Sequence, residues 1–355
     1  MTGPERHQGS GILRDSEEFR HQETGCGGAD PSTPLCSAQD DKIEALPSAV
    51  TLHETAPGKL NLTLDVLGKR PDGYHDLEMV MCSVSLADTL TLELGTGEGW
   101  SVSCNRPGIP DGPDNLCWKA AKLYCETAGI DPGGLRILVK KTIPAQAGLA
   151  GGSSDAAAVL RALNRHYGRF APEELLALGL KVGSDVPYCL FGGVALARGR
   201  GEILARLPDL PEELWFVLAK PDFSVSTPEL FREIDESRRG EGGIAGAAAD
   251  GQRPSSLADA LRPNAGAMIR AIRAGDRNAI GAAVQNDFEP LVARRFPIVE
   301  TLRRAMLDHG AIGARLTGTG SVVYGLFCSR YRATAAGLVL KELCPQVWLE
   351  EPLKS

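Results

Sequence analysis

A glycine-rich stretch from Pro144 to Asp155, which reads PAQAGLAGGSSD, has the residue types of a phosphate-binding loop. An aliphatic segment typical of a strand (135–141) precedes it, and a helical pattern (156–164) follows it. A strand, a glycine-rich turn and a helix in this order point backbone N–H groups and the positive end of a helix dipole towards an anion. The candidate phosphate-binding residues are Pro144, Ala145, Gln146, Ala147, Gly148, Leu149, Ala150, Gly151, Gly152, Ser153 and Ser154.

Two hydroxyls at the end of this loop favour a nucleotide as the phosphorylated ligand. Ser153 and Ser154 stand where a helix needs an N-cap and where a nucleotide needs hydrogen-bond donors or a ligand for Mg²⁺. The two common nucleotide loops are excluded, because the chain has no Gly-x-x-x-x-Gly-Lys-Ser/Thr and no Gly-x-Gly-x-x-Gly after a strand. A turn that binds nothing stays open as the alternative, since small residues often precede helices.

Polar and aliphatic side chains alternate from residue 59 to residue 66, which predicts a strand with two different faces. The polar face would carry Lys59, Asn61, Thr63 and Asp65, and the apolar face Leu60, Leu62, Leu64 and Val66. A lysine beside an asparagine can meet a phosphate or a sugar hydroxyl. Taken alone, the pair is also explained by an exposed lysine on an ordinary amphipathic strand.

Three further stretches carry polar residues outside any predicted core. Asp185 precedes a turn that begins with a proline, where an aspartate commonly serves as an N-cap. Tyr74 and His75 end a turn and offer flat side chains, although a single histidine there carries little meaning. A second glycine-rich turn at 315–321 lies between two predicted strands, and a hairpin loop would explain it equally well.

The composition restricts the class of protein. The chain has 355 residues, more than one hydrophobic core usually covers, so two lobes are expected. Its net charge of −7 argues against a nucleic-acid or membrane-surface partner, which would favour a basic face. Its nine cysteines are odd in number and form no Cys-x-x-Cys pair, so reduced thiols in the cytoplasm are expected and a zinc site is not. No run of 18 apolar residues is present.

The pattern along the chain changes character several times. Residues 1–47 are rich in Gly, Ser, Pro and acidic residues, which predicts a disordered extension. From there on, strands cluster and helices cluster instead of alternating, which predicts an α+β fold with a lobe boundary near Pro211. The stretch from Ser237 to Gln252 is expected to be a mobile surface insertion.

Three of these stretches (56–61, 144–154 and 316–321) resemble, in order and spacing, the three motifs of the GHMP kinase superfamily. The resemblance covers about residue 50 to the end, and Gly58 stands where alanine is commoner. It implies a two-lobed GHMP kinase fold, with a ribosomal protein S5-like N-terminal lobe and a ferredoxin-like C-terminal lobe. The expected domains are an ATP-binding domain at 48–211 and a substrate domain at 212–355.

Further stretches resemble the branch of this superfamily that phosphorylates a cytidine diphosphate sugar alcohol. They lie at 68–75, 113–116, 183–187, 226–231, 286–289 and 315–320. The resemblance implies ATP and Mg²⁺ as cofactors and leaves the metal ligands unassigned. Homoserine or mevalonate as the acceptor stays open, as does a catalytically silent nucleotide-binding protein, and the oligomeric state is not predicted.

The same resemblance implies a role for each candidate side chain. Asp185 would act as the catalytic base, and Lys59 would keep it ionised and stabilise the transferring phosphoryl group. Asn61 and Thr227 would position the acceptor hydroxyl. Tyr74 and Phe231 would stack on the base, and His75 would hydrogen-bond its edge. The late turn would add the substrate-binding residues Gly318, Thr319 and Gly320.

Overall fold

The computed structural model describes residues 49–240 and 262–355. The predicted disordered extension at 1–47 and residues 241–252 of the predicted insertion lie outside these ranges. The described residues mix helices with two β-sheets, so the α+β prediction is confirmed. No helix among them has the length and apolar character needed to cross a membrane.

The described part of the chain begins with two long strands, and the helices come after them. The strands are β1 (Val50–Lys69), β2 (His75–Leu94), β3 (Trp100–Cys104), β4 (Leu135–Lys140), β5 (Val194–Gly199), β6 (Ile203–Arg206), β7 (Trp215–Lys220), β8 (Gln285–Asn286), β9 (Gly313–Leu316), β10 (Val323–Phe327) and β11 (Gln346–Glu350). The helices are α1 (Leu116–Ala128), α2 (Gly151–Tyr167), α3 (Pro172–Val182), α4 (Val186–Phe191), α5 (Thr227–Gly240), α6 (Pro263–Ala274), α7 (Arg277–Ala282), α8 (Glu289–Arg295), α9 (Ile298–Asp308) and α10 (Arg330–Leu343).

The large sheet is built on the antiparallel pair β1 and β2, each 20 residues long. On the far side of β2, one half of the strand pairs with β4 and the other half with β5. β3 extends the sheet beyond β4, and β6 extends it beyond β5. The other edge of β1 receives the two-residue strand β8 in parallel orientation. A segment from late in the chain therefore adds an edge strand to the sheet that starts with β1.

The small sheet has the strand order β11-β7-β10-β9, with every pair antiparallel. Counted along the chain, these are the fourth, first, third and second strands of the sheet. Helices lie between β7 and β9 and between β10 and β11. This β-α-β-β-α-β arrangement is the ferredoxin-like one, as predicted for the C-terminal lobe. The described residues all belong to one compact unit, so the boundary near Pro211 stays a prediction.

β-Bulges interrupt β1 and overturn the prediction that Leu60, Leu62, Leu64 and Val66 share one face. The register with β2 shifts between Asn61 and Thr63, which leaves Leu62 without a cross-strand partner. An extra residue reverses the alternation of the side chains beyond it. Asn61 therefore lies opposite Met81 on one face, whereas Thr63 lies opposite Val80 on the other.

The bulge lets β1 contribute to two hydrophobic cores. Leu64 and Val66 belong to the core that includes α1 and α2. Leu60 and Leu62 belong to a second core, which contains side chains of the small sheet such as Leu218. Both cores thus pack against the short stretch of β1 that carries Lys59 and Asn61. This packing fixes the backbone of that stretch.

We expect Gly58→Ala to stabilise the protein by about 0.4–1 kcal/mol, because alanine has fewer unfolded conformations to lose. An added Cβ would make ordinary contacts, the shortest being 3.4 Å to the carbonyl oxygen of Leu86. The matched control is Gly148→Ala, whose Cβ would collide with the carbonyl oxygen of Thr317 at a φ of +77°. Thermal unfolding of both variants measures the effect. A loss of stability in Gly58→Ala would contradict the expectation.

Candidate active site

The glycine-rich loop has the backbone geometry of an anion cradle. Three of its residues have left-handed φ angles, 51° at Gln146, 77° at Gly148 and 56° at Ala150. Left-handed residues alternating with ordinary ones turn successive N–H groups towards a common point. Two of the three are not glycine, and such conformations cluster at functional sites because they need support from surrounding structure.

Helix α2 begins at Gly151, earlier than the serines of the loop suggest. Its N-cap is Ala150, and Ser153 and Ser154 lie inside the first turn. The prediction that these serines cap the helix is therefore wrong, because the left-handed Ala150 starts the helix without a side-chain cap. Ser154 Oγ instead donates to the carbonyl oxygen of Pro57 at 2.7 Å. The hydroxyl ties the helix start to β1.

The loop lies between β1 and the late glycine-rich turn, so the three predicted motifs meet at one place. The backbone N–H of Lys59 donates to the carbonyl oxygen of Leu149 at 3.1 Å. Next to the late turn, the N–H of Val322 donates to the carbonyl oxygen of Ala147 at 3.2 Å. Gly148 fits between them only because it has no Cβ, since the carbonyl oxygen of Thr317 occupies that space.

Lys59 brings a buried positive charge to this junction. Its side chain is 5% exposed, and Nζ donates to Oδ1 of Asn61 at 2.7 Å. Within the described ranges, no carboxylate forms an ion pair with Lys59. An added Cβ on Gly318 would lie 3.4 Å from Nζ, so the ammonium group faces the late turn. A buried cation without an acidic partner is costly unless an anion compensates it.

Asn61 and the late turn are held together by several hydrogen bonds. The backbone N–H of Asn61 donates to Oγ1 of Thr317 at 3.0 Å. Asn286, on β8, donates through Nδ2 to the carbonyl oxygens of Leu316 and Gly318, both at 2.8 Å. Sequence reasoning missed Asn286 as a site residue, although the stretch 286–289 belongs to the resemblance. Its amide therefore fixes the backbone of the late turn.

Thr227 and Thr319 are predicted substrate-binding residues that the structure brings together. Their hydroxyl oxygens are 2.9 Å apart. Thr227 is the first residue of α5, so this contact joins the start of the helix to the late turn. Gly320 closes the turn with a hydrogen bond from its N–H to the carbonyl oxygen of Thr317 at 3.0 Å.

Asp185 occupies the N-cap position of α4 without acting as a cap. Its side chain accepts no hydrogen bond from the helix, so the carboxylate stays available for another partner. The expected contact between Asp185 and Lys59 is not formed as an ion pair in the part of the chain that the structure describes. The charges of both act on the buried thiol of Cys189, so the two side chains share one neighbourhood. Burial raises the pKa of that thiol to about 12.

The turn that carries Asp185 lies beside the start of α2. A Cβ added to Gly183 would be 4.0 Å from Oγ of Ser153. The hydroxyl of Ser153, in the first turn of α2, therefore faces this turn. No group of three or more His, Cys, Asp or Glu side chains among the described residues could hold a metal by itself.

The predicted base-binding residues form a second group, around α5. The rings of His75 and Phe231 stack with centroids 4.5 Å apart and planes inclined by 18°. Tyr74 is 51% exposed, and the guanidinium of Arg200 lies 4.6 Å from the centre of its ring. Phe231 therefore stacks on His75, and the two predicted stacking faces do not touch each other.

A buried ionic triad supports the residues that lead into the loop, and sequence reasoning missed it. Lys141 Nζ donates to Asp88 and, at 2.6 Å, to Oδ2 of Asp155. Oδ1 of Asp88 accepts from the backbone N–H groups of Thr142 at 2.5 Å and Ile143 at 2.8 Å. Asp88 thus fixes the exit of β4 into the loop. The residue types gave a weak signal, since Asp155 directly follows the loop serines.

The triad contains two carboxylates and one ammonium group. Burial would lower the pKa of Lys141, but the charges of Asp155 and Asp88 outweigh it and the pKa is raised. Burial raises the pKa of Asp155 to about 7, because its attraction to Lys141 is smaller than the cost of desolvation. Asp155 Oδ1 is buried and has no hydrogen-bond partner among the described residues. The pKa of Asp155 is therefore raised towards neutral pH.

Comparisons with known proteins agree with this geometry. The family model "GHMP kinases N terminal domain" matches residues 115–193, and the model "GHMP kinases C terminal" matches residues 268–346. A 4-diphosphocytidyl-2-C-methyl-D-erythritol kinase of Alkaliphilus metalliredigens (strain QYMF) is 40% identical over 279 residues, which are 78% of this chain and 88% of the relative. The chain belongs to the 4-diphosphocytidyl-2-C-methyl-D-erythritol kinase family of GHMP kinases.

Among solved structures with the same fold, sequence identity separates this kinase family from others. A crystal structure of 4-(cytidine 5'-diphospho)-2C-methyl-D-erythritol kinase is 33% identical, has a TM-score of 0.64, and covers 86% of this chain and 100% of that one. A homoserine kinase from Cytophaga hutchinsonii ATCC 33406 has a TM-score of 0.65 at 21% identity, covering 86% of this chain and 96% of that one. The homoserine kinase shares the fold alone. The resemblance to the GHMP kinases is confirmed.

We expect Asp155→Asn to flatten the pH dependence of stability between about pH 4 and pH 7. The ordinary pKa of Asp155 is 3.8, and the folded value is about 7. As the pH rises through this interval, the unfolded chain gives up the proton first, so the folded state loses stability. Melting temperatures measured from pH 4 to pH 8 test this, with the exposed Asp308→Asn as control. An unchanged slope in Asp155→Asn would exclude Asp155 as the titrating group.

Proposed function

We propose that the protein transfers the γ-phosphoryl group of ATP to the 2-hydroxyl of 4-diphosphocytidyl-2-C-methyl-D-erythritol, in the non-mevalonate route to isoprenoid precursors. The observation that carries the proposal is the buried Lys59, which faces the meeting point of two glycine-rich segments without an acidic partner among the described residues. A phosphoryl group in transfer would supply the missing negative charge. Membership of the kinase family supports the choice of acceptor.

The triphosphate of ATP would bind to the loop at 144–154. Its left-handed residues and the first turn of α2 offer backbone N–H groups and the positive end of a helix dipole. The late turn at 318–320 would close over the same phosphates or over the acceptor, because Gly148 and Thr317 hold the two segments in contact.

Mg²⁺ is the proposed second cofactor, and the hydroxyl of Ser153 fits it as an oxygen ligand. This ion prefers oxygen ligands and is usually held by substrate phosphates together with one or two protein groups. The Ser153 hydroxyl, in the first turn of α2, would hold it together with the phosphates. When bound, Mg²⁺ would neutralise charge on the β- and γ-phosphates.

Asp185 would accept the proton of the attacking hydroxyl as the new O–P bond forms and ADP leaves. Its side chain is free of helix capping, so it can reach a substrate group. Lys59 would stabilise the charge on the transferring group, and Asn61 fixes the ammonium in place at 2.7 Å. Thr227 and Asn61 would position the acceptor alcohol beside them.

Tyr74, His75 and Phe231 would bind the cytosine. Arg200 lies over one face of the Tyr74 ring, which leaves the other face for the base. His75 would hydrogen-bond the edge of the base, and Phe231 would stack parallel to it. Homoserine or mevalonate as the acceptor is the second candidate. It is disfavoured because an aliphatic acceptor has no use for this aromatic group.

The remaining proposals concern organisation and location. We propose an ATP-binding domain at 48–211, a substrate domain at 212–355 and a cytoplasmic location without nucleic-acid partners. All the described cysteines are free thiols, which supports a reducing compartment. They are Cys82, Cys104, Cys117, Cys125, Cys189, Cys328 and Cys344.

We expect Asp185→Asn to lower kcat by about 10²–10⁴-fold while ATP still binds, because the general base is lost. Lys59→Ala should have a comparable effect. The double variant should cost far less than the sum of the two losses, since both residues serve one step. Steady-state kinetics give kcat, and equilibrium titration with a fluorescent ATP analogue checks nucleotide binding. Additive losses would mean that the two side chains act independently.

We expect Tyr74→Ala and Phe231→Ala to raise the KM for the acceptor about ten- to a hundredfold, through loss of a stacking face worth roughly 1–3 kcal/mol. The KM for ATP should hardly change. Tyr331→Ala is the matched control, since Tyr331 is 83% exposed on α10. Methylerythritol 4-phosphate, which lacks the cytidine, should be a very poor substrate. Efficient phosphorylation of that smaller alcohol would contradict the role of the base.

A further inference from the structure

Asp235 makes a contact with His75 that gives the histidine ring a defined polarity. Asp235 lies on α5, one turn after Phe231. Its Oδ1 is 2.8 Å from Nε2 of His75, and its Oδ2 accepts from Nζ of Lys69 at 3.3 Å. The side chains of His75 and Asp235 are 6% and 15% exposed, respectively, so little water competes for the contact.

The carboxylate of Asp235 is ionised at neutral pH. Burial raises the pKa of Asp235, but the hydrogen bonds and charges of His75 and Lys69 outweigh it, so the pKa is lowered overall. An ionised carboxylate can only accept hydrogen bonds. Nε2 of His75 must therefore carry the hydrogen that lies between the two groups.

In the neutral ring, the other nitrogen of His75 is then an acceptor. A neutral imidazole has one N–H donor and one bare nitrogen, and the partner of the first nitrogen decides which is which. Nδ1 of His75 has no hydrogen-bond partner among the residues that the structure describes. A group bound at Nδ1 must consequently donate a hydrogen bond.

The orientation of the ring also decides how a flat ligand would lie. The plane of His75 is inclined by only 18° to that of Phe231. A heterocycle hydrogen-bonded in the plane of His75 would therefore lie nearly parallel to Phe231 and could extend over its ring. Tyr74, adjacent in the chain and half-exposed, is available for the opposite face.

We propose that Asp235 is a positioning residue that makes the enzyme select an amino-substituted pyrimidine, by fixing Nδ1 of His75 as a hydrogen-bond acceptor. The proposal rests on the proposed function, in which the acceptor carries a cytidine. The exocyclic amine of cytosine donates a hydrogen bond, and uracil has a carbonyl oxygen at the same place. The carbonyl would face Nδ1 with two acceptors opposed, which leaves both unpaired and costs binding.

The test compares the cytidine diphosphate acceptor with its uridine diphosphate counterpart. Asp235→Asn keeps the shape of the side chain, but its amide can present either an oxygen or an NH₂ group to Nε2, so the tautomer is no longer fixed. We expect this variant to lose about tenfold of the preference for the cytidine compound in kcat/KM, mainly through KM, with the KM for ATP unchanged.

Two control variants separate this effect from charge and from packing. Glu236→Gln removes the same charge from the neighbouring, exposed position of α5 and should keep the full preference. Lys69→Met removes only the other partner of Asp235 and should keep most of it. An Asp235→Asn variant that lowers kcat/KM equally for both acceptors would overturn the proposal, because a merely structural residue would act in that way.

A spectroscopic measurement decides the tautomer without any turnover. ¹⁵N NMR of the wild-type protein should show His75 protonated at Nε2 and bare at Nδ1 at neutral pH. A hydrogen on Nδ1, alone or together with one on Nε2, would overturn the proposal even if the substituted protein failed to fold. If the wild type did not phosphorylate the cytidine compound, the proposed function would fail, and the NMR result would still stand as a separate finding.

Discussion

The contact between Gly148 and the carbonyl oxygen of Thr317 is the constraint on which the rest of the site depends. Two irregular segments touch there backbone to backbone, and no side chain larger than hydrogen fits between them. The contact holds the glycine-rich loop against the late turn, and a backbone hydrogen bond joins the loop to β1. Lys59 gains its position from this arrangement, because the late turn that its ammonium faces is fixed at the same point.

Much of this arrangement could be predicted from the sequence, because glycine, serine and proline signal local geometry directly. The loop at 144–154, the late turn and the α+β class follow from patterns within short stretches. The start of α2 could not be predicted, since a left-handed Ala150 has no signature of its own. Nor could the faces of β1, because a bulge depends on the strand opposite and reverses every side chain beyond it.

Contacts between segments far apart in the chain were the hardest to predict from the sequence. Asp88, Lys141 and Asp155 come from a strand, the end of another strand and a helix, and only the folded chain brings them together. Asp235 is another such case, because its partner His75 lies 160 residues earlier in the chain. The helical spacing of Thr227, Phe231 and Asp235 placed them on one side of α5, but nothing in the sequence specified what that side would meet.

The hydrogen bond between Asn61 and Thr317 has a consequence for the order of events during synthesis. These residues are 256 positions apart, so the strand that carries Lys59 leaves the ribosome long before the turn that completes its surroundings. Pairings of such long range form late and slowly. A partly synthesised chain therefore carries the loop sequence without the walls that shape it. The surroundings of Lys59 are complete only when almost the whole polypeptide has emerged.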